Sequence, residues 1–156
     1  MQQGIANQAD AGIILKLYEL RTETVMRQAR AWMTGEFWPG SGDEFFEVIQ
    51  DSGSEKNSWL RQVVSYWEMA ASLVLHGALS ADLFVDCNPE PFFILAKLTP
   101  ILPEIHAKMP LYFSKMLKLV ENSQAAAARY EVAKKNVENM RAARSASWLR
   151  QPKTSS

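Results

Sequence analysis

Glu68 is the residue whose type and setting hold the most chemical promise. It lies in NSWLRQVVSYWEMAASLVLHG, residues 57–77, between Trp67 and Met69. A carboxyl group on an apolar helix resists ionisation, so it could act as an acid or base in a pocket. The competing reading is a structural ion pair. Arg21 offers the matching cation, because it interrupts an apolar stripe one helical step from Leu17, Tyr18 and Val25. We expect Arg21 and Glu68 to meet between the first and central helices, with Arg61 or Arg30 as substitute partners. Tyr18 and Trp67 would flank that pair or line a pocket beside it. Trp32, Trp38, Trp59 and Tyr66 are further aromatics that could border a ligand cavity, or simply form core.

Other chemistries find little support. A di-iron helical bundle needs two Glu-x-x-His pairs, and neither His76 nor His106 has Glu three residues before it. Both histidines are expected near helix ends, where an imidazolium suits the dipole. Asp82 and Asp86 share a helix face but have no Gly-rich loop to complete a hard-cation site. Cys87 is alone, so it founds neither a disulfide nor a thiolate site, and no histidine adjoins it. Gly-x-Ser-x-Gly and phosphate-cradling glycine loops are absent. The expectation is no catalytic residue, no metal and no cofactor.

The elements that would position these residues are all helical. Residues 57–77 contain no internal Gly or Pro. Their polar side chains follow one narrow line: Ser58, Arg61, Ser65, Glu68, Ser72 and His76. Such a helix must be covered on most sides by others. Ahead of it the pattern predicts a frayed start (1–8), a long helix from about Ala9 to Met33, a turn over Gly35–Gly42, and a short helix capped by Ser41 and Glu44. After it come a left-handed cap at Gly77, a short helix from Ser80, and a helix from Pro91 interrupted by Pro100 and Pro103. A further helix should start at Pro110. No period-two strand pattern occurs. The expected fold is all-α, with six or seven helices packed around residues 57–77.

Charge divides the chain. Residues 1–123 hold 10 Lys+Arg and 15 Asp+Glu, a net −5; residues 124–156 hold 7 and 2, a net +5. We read 1–123 as a helical globular domain. Residues 124–156 read as a basic, Ala-rich helical extension, exposed on most sides, with a disordered end from Gln151. Its surface cations include Arg129, Lys134, Lys135, Arg141 and Arg144, which could touch an anionic membrane surface. Nucleic acid is disfavoured, since no basic recognition helix pairs with a turn. Charges within 57–77 oppose a bilayer span.

Four motifs carry a resemblance: LYELR at 17–21 with MRQAR at 26–30, WEMAASLVLHGAL at 67–79, DLFVD at 82–86 with KLTPILPEI at 97–105, and PLYF at 110–113. Together, over Leu17 to Glu121, they resemble a bacterial family of uncharacterised small helical proteins, a domain of unknown function. The resemblance implies a helical fold and no established activity. Members of that family often carry a membrane-spanning helix ahead of this region, whereas residues 1–16 hold no such apolar run. The functional expectation is a cytoplasmic, non-catalytic protein–protein interaction or regulatory module, with a protein partner or a second copy of itself. The alternative is a small-molecule or lipid-binding domain using an aromatic pocket near Glu68.

Overall fold

The computed structural model describes residues 5–150, all of whose regular elements are helical. The expected disorder at 151–156, and the first half of the expected frayed start, lie outside the described residues. Within them, Asn7 and Asp10 form a reciprocal capping box that starts α1 (Gln8–Arg21) without fraying. The long helix expected over 9–33 divides. The Thr22 hydroxyl turns back to the Glu19 carbonyl, and Glu23 adopts an extended backbone while its carboxylate accepts the Met26 amide. That cap opens α2 (Thr24–Ala31), which runs into a π-helical turn over Trp32–Glu36.

The Ser41 hydroxyl accepts the Glu44 amide and starts α3 (Gly42–Gln50), while Glu44 reaches back to the Gly40 amide. Ser54 caps α4 (Glu55–Leu75), and Gly77 takes the left-handed conformation (φ 76°) that releases the chain from it. Helix α4 packs on α2, α3, α5 and α8, burying Leu60, Val63, Val64, Trp67, Ala70, Ala71 and Val74. One strip, including Arg61, Ser65, Met69 and His76, remains exposed to solvent.

Ser80 caps α5 (Ala81–Cys87), and α6 (Glu90–Leu98) follows with Pro91 in its first turn. Pro100 and Pro103 interrupt the chain as expected: a 3-10 turn over Thr99–Ile101 leads into α7 (Leu102–Lys108). Pro110 does not open the next helix. Residues 110–113 form a turn that ends at Phe113 with φ 57°, a strained value for an aromatic residue. Phe113 is fully buried, so its ring is held in the core despite that strain. Helix α8 (Ser114–Asn122) starts only there, and α9 (Gln124–Leu149) is capped by Ser123. The breaks after Arg21 and before Ser114, with the turn at Thr99, make more and shorter helices than six or seven.

Helix α9 is not a solvated appendage along its first four turns. It lies against α5, α6 and α8, and Ala126, Ala133 and Val137 belong to the same buried cluster as Phe45, Trp67 and Phe92. Alanine permits this, because its small side chain lets two helix backbones approach closely.

A single buried amide joins α3 to α4. Asn57 Nδ2 donates to the carbonyls of Val48 (3.0 Å) and Ile49 (2.9 Å), which the end of α3 would otherwise leave open. Asn57→Ala should therefore lower unfolding stability by about 1–3 kcal/mol, read from the urea midpoint. A change within error would show that solvent satisfies those carbonyls.

Candidate functional site

The strongest polar constellation in the interior is centred on Glu90, which sequence reasoning passed over. The Arg30 guanidinium grips its carboxylate through Nε (2.9 and 3.0 Å) and Nη2 (2.6 Å). The Trp67 indole N–H donates to the same carboxylate at 3.1 Å, and Arg30 also reaches the Arg21 carbonyl at 3.1 Å. Both charged side chains are largely buried. The bonds to Glu90 raise the Arg30 pKa above its ordinary value despite burial. Beside this knot, Arg21 donates to Asn88 Oδ1 (2.9 Å), and Asn88 in turn donates to the Phe84 carbonyl (3.0 Å). The Tyr66 hydroxyl donates to the Leu17 carbonyl, and burial pushes its pKa up to about 12. Five helices (α1, α2, α4, α5 and α6) thus meet in one network.

Glu68 does not pair with Arg21. It accepts the backbone amides of Lys115 (3.2 Å) and Met116 (2.9 Å), the free donors at the start of α8, with the Lys115 ammonium 3.8 Å away. A carboxylate there replaces the N-cap side chain that Phe113 cannot supply. Arg61 is exposed, and no bond joins it to Glu68. The pocket that adjoins Glu68 among the described residues has no Phe, Tyr or Trp side chain in its lining. It is an open groove of about 490 Å³, lined by Ser65, Met69, Ser72, Leu73, His76 and Lys115. Tyr18 is 57% exposed on α1, with the Arg21 guanidinium 5.1 Å from its ring centre. Trp67 is fully buried between Tyr66 and Phe84, and its indole N–H donates to Glu90.

A ring nitrogen of His76 bonds the Ser72 carbonyl (2.9 Å), and one of His106 bonds the Tyr112 carbonyl (2.9 Å). Asp82, Asp86 and Cys87 are exposed. Among the described residues, no three or more His, Cys, Asp or Glu side chains gather as a metal site would require. Of the basic residues on α9, Lys134 pairs with Glu131 (2.6 Å), and Arg129 borders a groove of about 300 Å³ beside Phe93 and Glu90. Lys135 is exposed.

A family model described as "Domain of unknown function (DUF4760)" matches residues 7–123. The chain belongs to that family. The match runs from the cap of α1 to the cap of α9 and contains the motifs read between Leu17 and Glu121. No curated protein and no solved structure matches the chain. Among the described residues, no helix is long and apolar enough to cross a membrane.

Lys97 is the other site that sequence reasoning missed; the sequence pattern put it on the outer face of its helix. Its side chain is fully buried, donating to the Met33 carbonyl in the π-helical turn. The Trp38 and Phe93 rings lie 4.8 and 5.6 Å from the ammonium. Burial, and then the charges of Arg141 and Arg144, lower its pKa from 10.5 to about 7. The folded protein therefore loses this proton near pH 7, whereas the unfolded chain keeps it to about 10.5. The unfolded state binds more protons in that interval, so Lys97 makes stability rise with pH between those values.

Two outcomes follow. Glu90→Ala should cost up to about 3–5 kcal/mol, because it leaves a part-buried guanidinium without its carboxylate. Glu68→Ala should cost only about 1–2 kcal/mol, as loss of a helix cap does. Chemical denaturation of both variants tests that ranking. In Lys97→Met, denaturation between pH 6 and pH 9 should lose most of the upward slope, with the gain in stability largest at pH 6. An unchanged slope would assign the pH dependence to another group.

Proposed function

We propose that this DUF4760 protein is a non-catalytic interaction or regulatory module of the cytoplasm, which engages a protein partner or a second copy of itself through the distal part of α9. The observation that carries this reading is the end of that helix, where Trp148 and Leu149 are 78% and 88% exposed. An indole and a leucine in water, next to Arg144 and Arg150, form an anchor of the kind that dominates protein interfaces. A second support is the employment of four carboxylates in fastening helices together. Glu68 holds α8, Glu90 holds α2, Asp10 accepts the Ser80 amide (2.7 Å) at the start of α5, and Glu104 accepts the Gly42 amide (2.7 Å) of α3. A carboxylate bonded in this way is a poor proton shuttle.

The alternative of a small-molecule or lipid binder now rests on a different place from the one expected. A cleft of about 330 Å³ opens between the starts of α1 and α5 and the ends of α4 and α8. Val74, Leu79 and Leu119 form its apolar floor, and Asp10 and Asn122 stand among its polar groups. Its volume suits a small amphiphile.

Replacing Trp148 and Leu149 by serine leaves the buried half of α9 intact and separates the readings. Sedimentation of the wild type should show self-association, or pull-down a stoichiometric partner, and the double variant should lose it while its melting temperature stays the same. Equal mass and equal partners for both proteins would overturn the reading. A stoichiometric small molecule in the native mass spectrum would favour the cleft.

A further inference from the structure

Three cations converge on the Trp38 ring. The Lys97 ammonium lies 4.8 Å from its centre, the Arg144 guanidinium carbon 4.9 Å and that of Arg141 5.4 Å. None of the three belongs to an ion pair among the described residues, where Arg30, Lys16, Lys115 and Lys134 take the carboxylate partners. They bond only to backbone carbonyls: Lys97 to Met33, Arg141 to Lys97 (2.8 Å) and Arg144 to Gly35 (3.4 Å). Those carbonyls lie in the π-helical turn and at the end of α6. A helix end supplies roughly half a negative charge, so two ends supply about one against two or three positive charges. Among the described residues no carboxylate adds to that. In addition, Arg141 Nε is buried without an acceptor.

We propose that Arg141 and Arg144, with Lys97 behind them, form a binding site for a small tetrahedral oxyanion of the phosphate or sulfate type. Arg144 is exposed and Arg141 partly so, which leaves a face open to solvent. Guanidinium groups bind such an oxyanion through paired N–H donors, which the exposed Arg144 and the part-exposed Arg141 can offer from their open edges. Lys97 is fully enclosed and acts through its field, without touching the anion. Among the described residues, the charged groups acting on Lys97 are Arg141 and Arg144 of α9. The π-helical turn contributes a carbonyl, and the segment after it and α6 contribute aromatic faces. An anion at the two arginines strengthens the hold of Lys97 on its proton, so binding and protonation are coupled.

That coupling distinguishes this site from an ordinary surface arginine. Sulfate does not titrate near neutral pH and is the first probe, titrated calorimetrically into the full chain at pH 7.5 in buffers of different ionisation enthalpy. Saturable binding with proton uptake is expected. Arg144→Gln, at an exposed position, should weaken it by about tenfold. Lys97→Met should still bind but take up no proton. Vesicles carrying phosphomonoester headgroups, competed with inorganic phosphate, then separate two sources of the ligand. Competed sedimentation assigns a lipid headgroup; sulfate binding without sedimentation assigns a free oxyanion. Absence of saturable binding, an unchanged affinity in Arg144→Gln, or the same proton uptake in Lys97→Met would overturn the proposal.

Discussion

The grip of Arg30 on Glu90 is the constraint on which the arrangement of the helices rests. It spans 60 residues of sequence and places the start of α6 against α2, with the α4 indole of Trp67 as a third partner. A buried ion pair of this kind adds little net stability over an apolar pair, because desolvating two charges offsets most of their attraction. What it supplies is discrimination. Sliding α4 or α6 by one turn would leave a charge, or the indole N–H, without its partner. The apolar surfaces of these helices are far less selective, since packing of similar volume can be found at several registers.

The same preference for polar fastening recurs away from the knot. Asp10 satisfies both the cap of α1 and an amide of α5, Glu68 replaces the cap that α8 lacks, and Asn57 closes the end of α3. Short helices expose many terminal donors and acceptors relative to their length, and a fold of short helices must satisfy them from neighbouring elements. Here acidic and amide side chains do so. This is also the physical reason that the carboxylates most conspicuous in sequence are structural in place.

The seam between α6 and α9 follows a different logic. There a lysine and two arginines gather around one indole ring, and among the described residues no acid pairs with them. Cation–π contact and carbonyl oxygens lower the cost of burying Lys97, yet leave it holding its proton weakly near neutral pH. The basic surplus of residues 124–156, diffuse in sequence, is partly concentrated at this seam. The contacts of Arg141 and Arg144 with the body are therefore sensitive to charge, while the Ala126–Val137 segment is held mainly by apolar packing, with a bond between the Tyr130 and Thr99 hydroxyls.

Much of the architecture was legible in order and type. Helix-only periodicity, the serine caps at Ser41 and Ser80, the left-handed Gly77 and the breaks at Pro100 and Pro103 are local signals, and local physics decides them. Two local readings failed for local reasons: Glu23 could cap a helix that periodicity ran through, and Pro110 began a turn rather than a helix. Partner choice was another matter. Glu68, Arg21 and Arg30 were all conspicuous, but which acid meets which base depends on the crossing of helices far apart in sequence. Glu90 and Lys97 were hidden, because Glu90 reads as part of a Pro-flanked turn and Lys97 as an outward helical position until α2 and α9 cover them. Residue order thus determined the helices and their ends, through hydrogen bonds within a few residues. Only tertiary packing decided which charges are buried and what they hold, because burial depends on the neighbour that arrives from elsewhere in the chain.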